Sequence, residues 1–196
     1  MAAGFSPTPS GGTGPMAIKF RPYLLFVLFT VAALPASAEE SEVGCDSLQL
    51  QVTGSDGERT CFKDVDRTSG SPVEVETLVV GRVDSFMVVV RTEASRHTGL
   101  WRASLTDLLT VSNLPFFSAI TNRSEAPRYG GFEIMSFDAG LVQSPDVSVS
   151  CAAFLRYGAH LAQSLYRKEL LGFYCRYTTD KLPQVEIQDT IDSVRD

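Results

Sequence analysis

The sequence is poor in the residues and motifs that small enzymes and metalloproteins use. It has two histidines, His97 and His160, in 196 residues. No His-Glu-x-x-His pair, Cys-x-x-Cys knuckle or Gly-x-Ser-x-Gly turn occurs, and Gly130-Gly131 is not followed by the Lys-Ser or Lys-Thr of a phosphate loop. These gaps exclude the common zinc, serine-hydrolase and nucleotide motifs, and no metal or cofactor is expected. Positive charge is also scarce: 17 Lys and Arg face 23 Asp and Glu, a net charge of −6. With no cation surplus to neutralise phosphates, nucleic acid is not an expected partner. The charged fraction of 20% is too low, and the hydrophobic fraction of 44% too high, for a disordered chain.

A membrane-length apolar run is missing too. The run Tyr23–Ala33 has eleven residues and would rise about 16 Å as a helix, roughly half a bilayer's hydrocarbon core. Lys19 and Arg21 precede it and Ala36-Ser37-Ala38 follows, the pattern of a cleaved signal peptide. Residues 16–38 are therefore read as the signal, and residues 1–15, uncharged and rich in Gly, Pro and Ser, as a mis-assigned start or a disordered extension. Residues 39–196 form the expected single exported domain, periplasmic or extracellular. Lys19 and Arg21 are the only charged residues before Glu39, so this domain carries 15 cations, 23 anions and a net charge of −8. Cys45 lies too far beyond the apolar run for lipidation, and Asp192–Asp196 ends without a hydrophobic tail, so a soluble domain with no membrane span is expected.

Cys45, Cys61, Cys151 and Cys175, an even number behind an export signal, predict two disulfides. Three pairings exist; short separations and intervening turn residues favour Cys45 with Cys61 and Cys151 with Cys175. A four-cysteine zinc site fits poorly at these spacings.

Periodicity supplies the fold expectation. Leu48, Leu50 and Val52 alternate with polar residues, and Gly54–Gly57 offers a turn before Arg59–Lys63, predicting a hairpin that carries Cys45 and Cys61. Lys63–Pro72 reads as a loop; a calcium loop beginning at Asp64 fails because Ser69 and Val75 stand where Gly and Glu belong. Val73–Val80 is a strand, and Phe86–Val90, apolar throughout, is a central one covered on both faces. Ser104–Ser112 is a capped helix, Phe117–Thr121 a short strand and Asn122–Pro127 a polar turn. Strands follow around Phe132–Ser136, Val147–Leu155 and Leu171–Tyr177. Both Cys151 and Cys175 fall on the more apolar side of their strands. Gly158–Leu171 reads as an irregular loop or short helix, and Pro183–Arg195 as a second helix with Ile187, Ile191 and Val194 in a stripe.

The predicted class is α+β, with a mainly antiparallel, curved sheet of about five to seven strands and one or two helices packed on one side of it, stabilised by disulfides. From Val73 to Arg195 this order resembles the sandwich of the PsbP and Mog1 proteins. The resemblance is one of topology, without a shared motif, and implies a fold and no particular function.

Functional candidates are few. Arg91, Arg96, His97 and Arg102 with Trp101 form a cationic, aromatic island in an acidic chain. Arg and Trp often anchor interfaces, so this island predicts binding of a protein or of an anionic envelope component. The competing reading is solvated arginines around a core tryptophan. A non-enzymatic binding role is favoured; the alternative is a small secreted hydrolase with His97 or His160 as general base. Asn122-Arg123-Ser124 is a glycosylation sequon, relevant in a eukaryotic secretory pathway.

Overall fold

The computed structural model describes residues 41–54, 56–66, 72–95, 98–110, 113–114, 116–162 and 165–196. The predicted signal, the N-terminal extension, Arg96 and His97 lie outside the described residues. In chain order the strands are β1 (Ser41–Val43), β2 (Gln51–Val52), β3 (Glu58–Asp66), β4 (Val73–Gly81), β5 (Ser85–Ala94), β6 (Leu100–Trp101), β7 (Phe117–Tyr129), β8 (Phe132–Leu141), β9 (Ser144–Tyr157), β10 (His160–Ala162), β11 (Leu165–Tyr166), β12 (Lys168–Arg176) and β13 (Val194–Arg195). The described helices are α1 (Leu105–Leu108) and α2 (Gln184–Ser193), with a 3-10 turn at Cys45–Ser47.

Sheet dominates. Eight strands form one antiparallel sheet in the order β1-β3-β4-β5-β12-β9-β8-β7, more than the five to seven expected. The β-branched and aromatic content of Val73–Val80 and Phe86–Val90 favours these strands, and as predicted β5 is interior and buried on both faces.

Adjacent residues of β12 identify the two faces, since side chains alternate along a strand. The Tyr174 hydroxyl donates to Glu186 of α2, whereas the Phe173 ring packs edge-on to Phe116, with centroids 6.3 Å apart. The α2 face holds Leu78, Val80, Met87, Val89, Phe154 and Ala152, closed over by Ile187 and Ile191 and by Leu48, Leu50 and Val52. The opposite face holds Phe117, Phe137, Phe173 and the Cys151–Cys175 bridge beneath Leu105 and Leu109. The helices thus lie on opposite faces. Each apolar face needs its own cover, so gathering both helices on one side would leave the phenylalanine face wet.

Both disulfides take the favoured pairing. Cys151 and Cys175 are register partners on β9 and β12, and Cys45 joins Cys61 on β3. The expected first hairpin does not form. β3 pairs with β1 and β4, while Val52 of β2 pairs with Val194 of β13, so Leu48–Val52 crosses the sheet face and buries its alternating residues against α2. α1 is shorter than predicted, a single turn fixed by a capping box: the Asp107 amide donates to Ser104 Oγ at 3.2 Å and the Ser104 amide to Asp107 Oδ2 at 3.4 Å. β7 continues through the expected turn at 122–127 by means of bulges, and Gly158–Leu171 contains strands where a loop or helix was expected.

Candidate binding surface

β10, β11 and β6 form a separate three-stranded sheet beside the main one. Its register sets Trp101 opposite Leu165, and Leu100 and His160 opposite Tyr166. The strands are too short to be stable alone, and side chains tie them to β9. The Tyr157 hydroxyl accepts from the Ala103 amide at 2.8 Å and donates to the Ala103 carbonyl at 3.0 Å. The Tyr157 ring contacts Tyr166, with centroids 4.7 Å apart, and His160 meets Tyr166 edge-on at 5.1 Å. Burial pushes the Tyr157 hydroxyl up to about 12, against the lowering effect of its Ala103 contact and with the Glu169 carboxylate raising it further. Tyr157 is therefore a protonated strut at neutral pH. Burial also raises the Glu169 carboxyl, partly opposed by the polar influence of Tyr157.

On this support Trp101 is 74% exposed and Leu161 is 44% exposed. An exposed indole on a tethered strand is unusual for a residue that normally buries most of its surface. At the next position in the chain, Arg102 Nη2 donates to Glu133 Oε1 at 2.6 Å, and Arg128 Nη2 donates to the same oxygen at 2.9 Å. Two guanidinium groups share one carboxylate, leaving one positive charge in excess among the three.

The structure divides the island predicted from sequence. Trp101 and Arg102 are adjacent and exposed as required. Arg91 is not a surface residue: it is 1% exposed, on the α2 face, directly opposite Glu76 of β4. The strand extends to Ala94, so Arg91 follows its alternation and points inward instead of belonging to the loop after it. There its Nη2 donates to Gln49 Oε1 at 2.8 Å and to Glu93, and its Nη1 lies 3.5 Å from Glu76 Oε2. Sequence reasoning missed Arg128, Glu133, Tyr157 and Tyr166. The first two come from β7 and β8, distant in sequence; Tyr166 lies in the stretch whose spacing suggested a helix.

His160 is exposed, and among the described residues no Ser, Asp, Glu or Cys hydrogen-bonds to it. The general-base alternative finds no support from that side chain. A concavity of about 280 Å³ lies elsewhere, between α2 and strands β4, β5 and β12. In its lining the Tyr174 hydroxyl donates to Glu186 Oε1 at 2.6 Å, and Arg176 Nη1 donates to Glu186 Oε2 at 3.2 Å. Burial, reinforced by Glu186, pushes the Tyr174 hydroxyl up to about 12. Among the described residues, no group of three His, Cys, Asp or Glu could hold a metal, and no helix is long and apolar enough to cross a membrane.

The chain matches no protein-family model, no curated protein and no solved structure. The functional reading therefore rests on the chain's own residues.

Proposed function

We propose that the chain is an exported, non-enzymatic binding domain that engages a protein or an anionic envelope component through the Trp101 surface. One observation carries this reading: Trp101 is 74% exposed on a strand held in register and braced by Tyr157. A large aromatic with few rotatable bonds gives much contact area at small entropic cost, which is why such residues anchor interfaces. Arg102, next to Trp101 in the chain, and Arg128 together exceed the charge of Glu133, which favours an anionic group in the partner. Export is supported by the signal pattern at 16–38 and by two disulfides, which persist in oxidising compartments. For the finer fold assignment we retain the PsbP and Mog1 likeness as a working description, supported by the β7–β8–β9 meander and the C-terminal helix over the sheet.

The test uses the fact that Trp101 is the sole tryptophan. Affinity capture from the protein's own envelope or medium should recover a partner that W101A and R102E both lose. Adding that partner to wild-type protein should shift the tryptophan emission to the blue. Retention of the same partner by both variants, or an unshifted spectrum on saturation, overturns the reading.

A further inference from the structure

We infer that Asn122 is an N-glycosylation site whose glycan caps the free edge of the main sheet. The inference goes beyond the binding role and rests on the export reading, because an oligosaccharide is attached to this consensus only in a secretory compartment.

The two edges of the eight-stranded sheet are unequal. β1 is three residues long, and the Cys45–Cys61 bridge lies beside it. β7 has thirteen residues, and from Ser118 to Arg128 all are exposed except the half-buried Ile120 and Ala126. Such an edge offers unpaired amides and carbonyls to any other strand. Pro127 and the charges of Arg123 and Arg128 blunt it in part.

Asn122 stands where a substituent is tolerated best. Thr121 pairs with Asp138 and Ser124 with Ser136, so Asn122 and Arg123 together oppose Phe137 alone, a β-bulge. Asn122 has φ of 51°, and among the described residues it is the one non-glycine with positive φ. Asparagine is the side chain best suited to that conformation. The bulge takes Asn122 out of the regular ladder, and its side chain is exposed. Its Nδ2 donates to Asp138 Oδ2 at 2.7 Å. An amide nitrogen has two protons, so glycosylation leaves one for Asp138 and the bulge geometry survives.

The donor is a lipid-pyrophosphate-linked oligosaccharide. A bond forms between Asn122 Nδ2 and the sugar C1 as the C1–oxygen bond to pyrophosphate breaks; the lipid pyrophosphate departs with the electron pair, and the amide loses one proton. Arg123 occupies the central sequon position, where only proline is forbidden, and Ser124 completes it.

The full chain, with its own N-terminal segment, is expressed in a eukaryotic secretory host and recovered from the medium. Treatment with peptide N-glycosidase in heavy-oxygen water should convert residue 122 to labelled aspartate and abolish a mobility shift. S124A, which keeps Asn122 and its bulge, should lack the shift entirely. Protein that is secreted and begins at Glu39 but carries an unmodified Asn122 overturns this inference alone. A chain retained in the cell with residues 16–38 intact overturns export as well. Sedimentation tests the capping role: S124A should self-associate more strongly than glycosylated wild type, and equal behaviour at all concentrations overturns that role.

Discussion

Glu76–Arg91 and Phe154–Gly172 occupy comparable places and are held by opposite means. Each is a directly opposed cross-strand pair on the α2 face, and each is buried. The first depends on charge. Glu76, with no exposed surface, accepts from the Gln49 amide at 3.1 Å and the Leu50 amide at 3.0 Å, and Lys63 Nζ lies 3.6 Å away. The second depends on shape. Gly172 has no side chain because the Phe154 ring fills the space: a Cβ there would lie 2.1 Å from two ring atoms. The ring cannot easily retreat, since Phe132 packs edge-on against it at 5.6 Å. A charged pair can latch a passing segment through hydrogen bonds, whereas an apolar pair can only exclude volume. Glu76 accordingly fixes the path of Leu48–Val52 over the sheet, a task for which Phe154 offers no acceptor.

The largest expected effect comes from breaking the charged pair. Glu76→Ala takes the acceptor from two backbone amides and one of two carboxylates from buried Arg91, which keeps Glu93, and should cost about 3–5 kcal/mol in a denaturant melt. Removing both charges, in Glu76→Leu with Arg91→Met, is often neutral for a buried pair. Here it should still cost about 1–3 kcal/mol, because the amide of buried Leu50 loses its acceptor. A neutral double variant would show that the latch is dispensable.

On the shape-held pair, Gly172→Ala should cost about 1–3 kcal/mol by overpacking, and Phe154→Leu in the same chain should recover part of that loss. Failure of the second change to help would mean that the contact is not the constraint.

The smallest effect belongs to charges at the rim. Burial acts to raise Asp196, but hydrogen bonds and charges from Lys168 and Arg156 outweigh it and hold the carboxyl below its ordinary 3.8. A lowered acid stabilises the fold above its unfolded value, and that contribution is lost as pH falls through the folded value; Asp196→Asn should cost below about 1 kcal/mol at neutral pH. Glu169, raised by burial, has the opposite sign: its contribution is complete below its ordinary 4.5 and is lost as pH rises through the folded value. Melts of Glu169→Gln against pH should therefore lose a stabilising limb on the acid side that wild type shows. Parallel curves would remove Glu169 from the account.

The features legible in the sequence were those set by local pattern. Unbroken apolar content marked β5, the Ser104 and Asp107 spacing marked the cap of α1, and the stripe of Ile187 and Ile191 marked α2. The disulfide pairing followed from spacing and strand parity. Partner choice was not legible. Gln49, Leu50 and Gln51 alternate as a hairpin arm would, yet their amides and side chains go to Glu76, Arg91 and β13, contacts made across the chain. The candidate surface was legible in Trp101 and Arg102, which are neighbours in sequence, and illegible in Arg128, Glu133 and Tyr166, which only sheet formation brings near. Arg91 misled because the apolar run ends at Val90, whereas the strand continues to Ala94 and sets Arg91 across from Glu76.

The position of β12 has a consequence for how the molecule is made. β3, β4 and β5 form one meander and β7, β8 and β9 another, each closed by contacts near in sequence. The two meet only through β12, which inserts between β5 and β9. Synthesis from the N-terminus delivers both meanders before the strand that unites them, each with an interior strand still unpaired on one side. Until β12 arrives, those two edges are the most adhesive surfaces the nascent protein has. The Cys151–Cys175 bridge, which needs both β9 and β12, would then mark the moment of completion, and a chain stalled before Lys168 should appear as a chaperone client with one free thiol at Cys151.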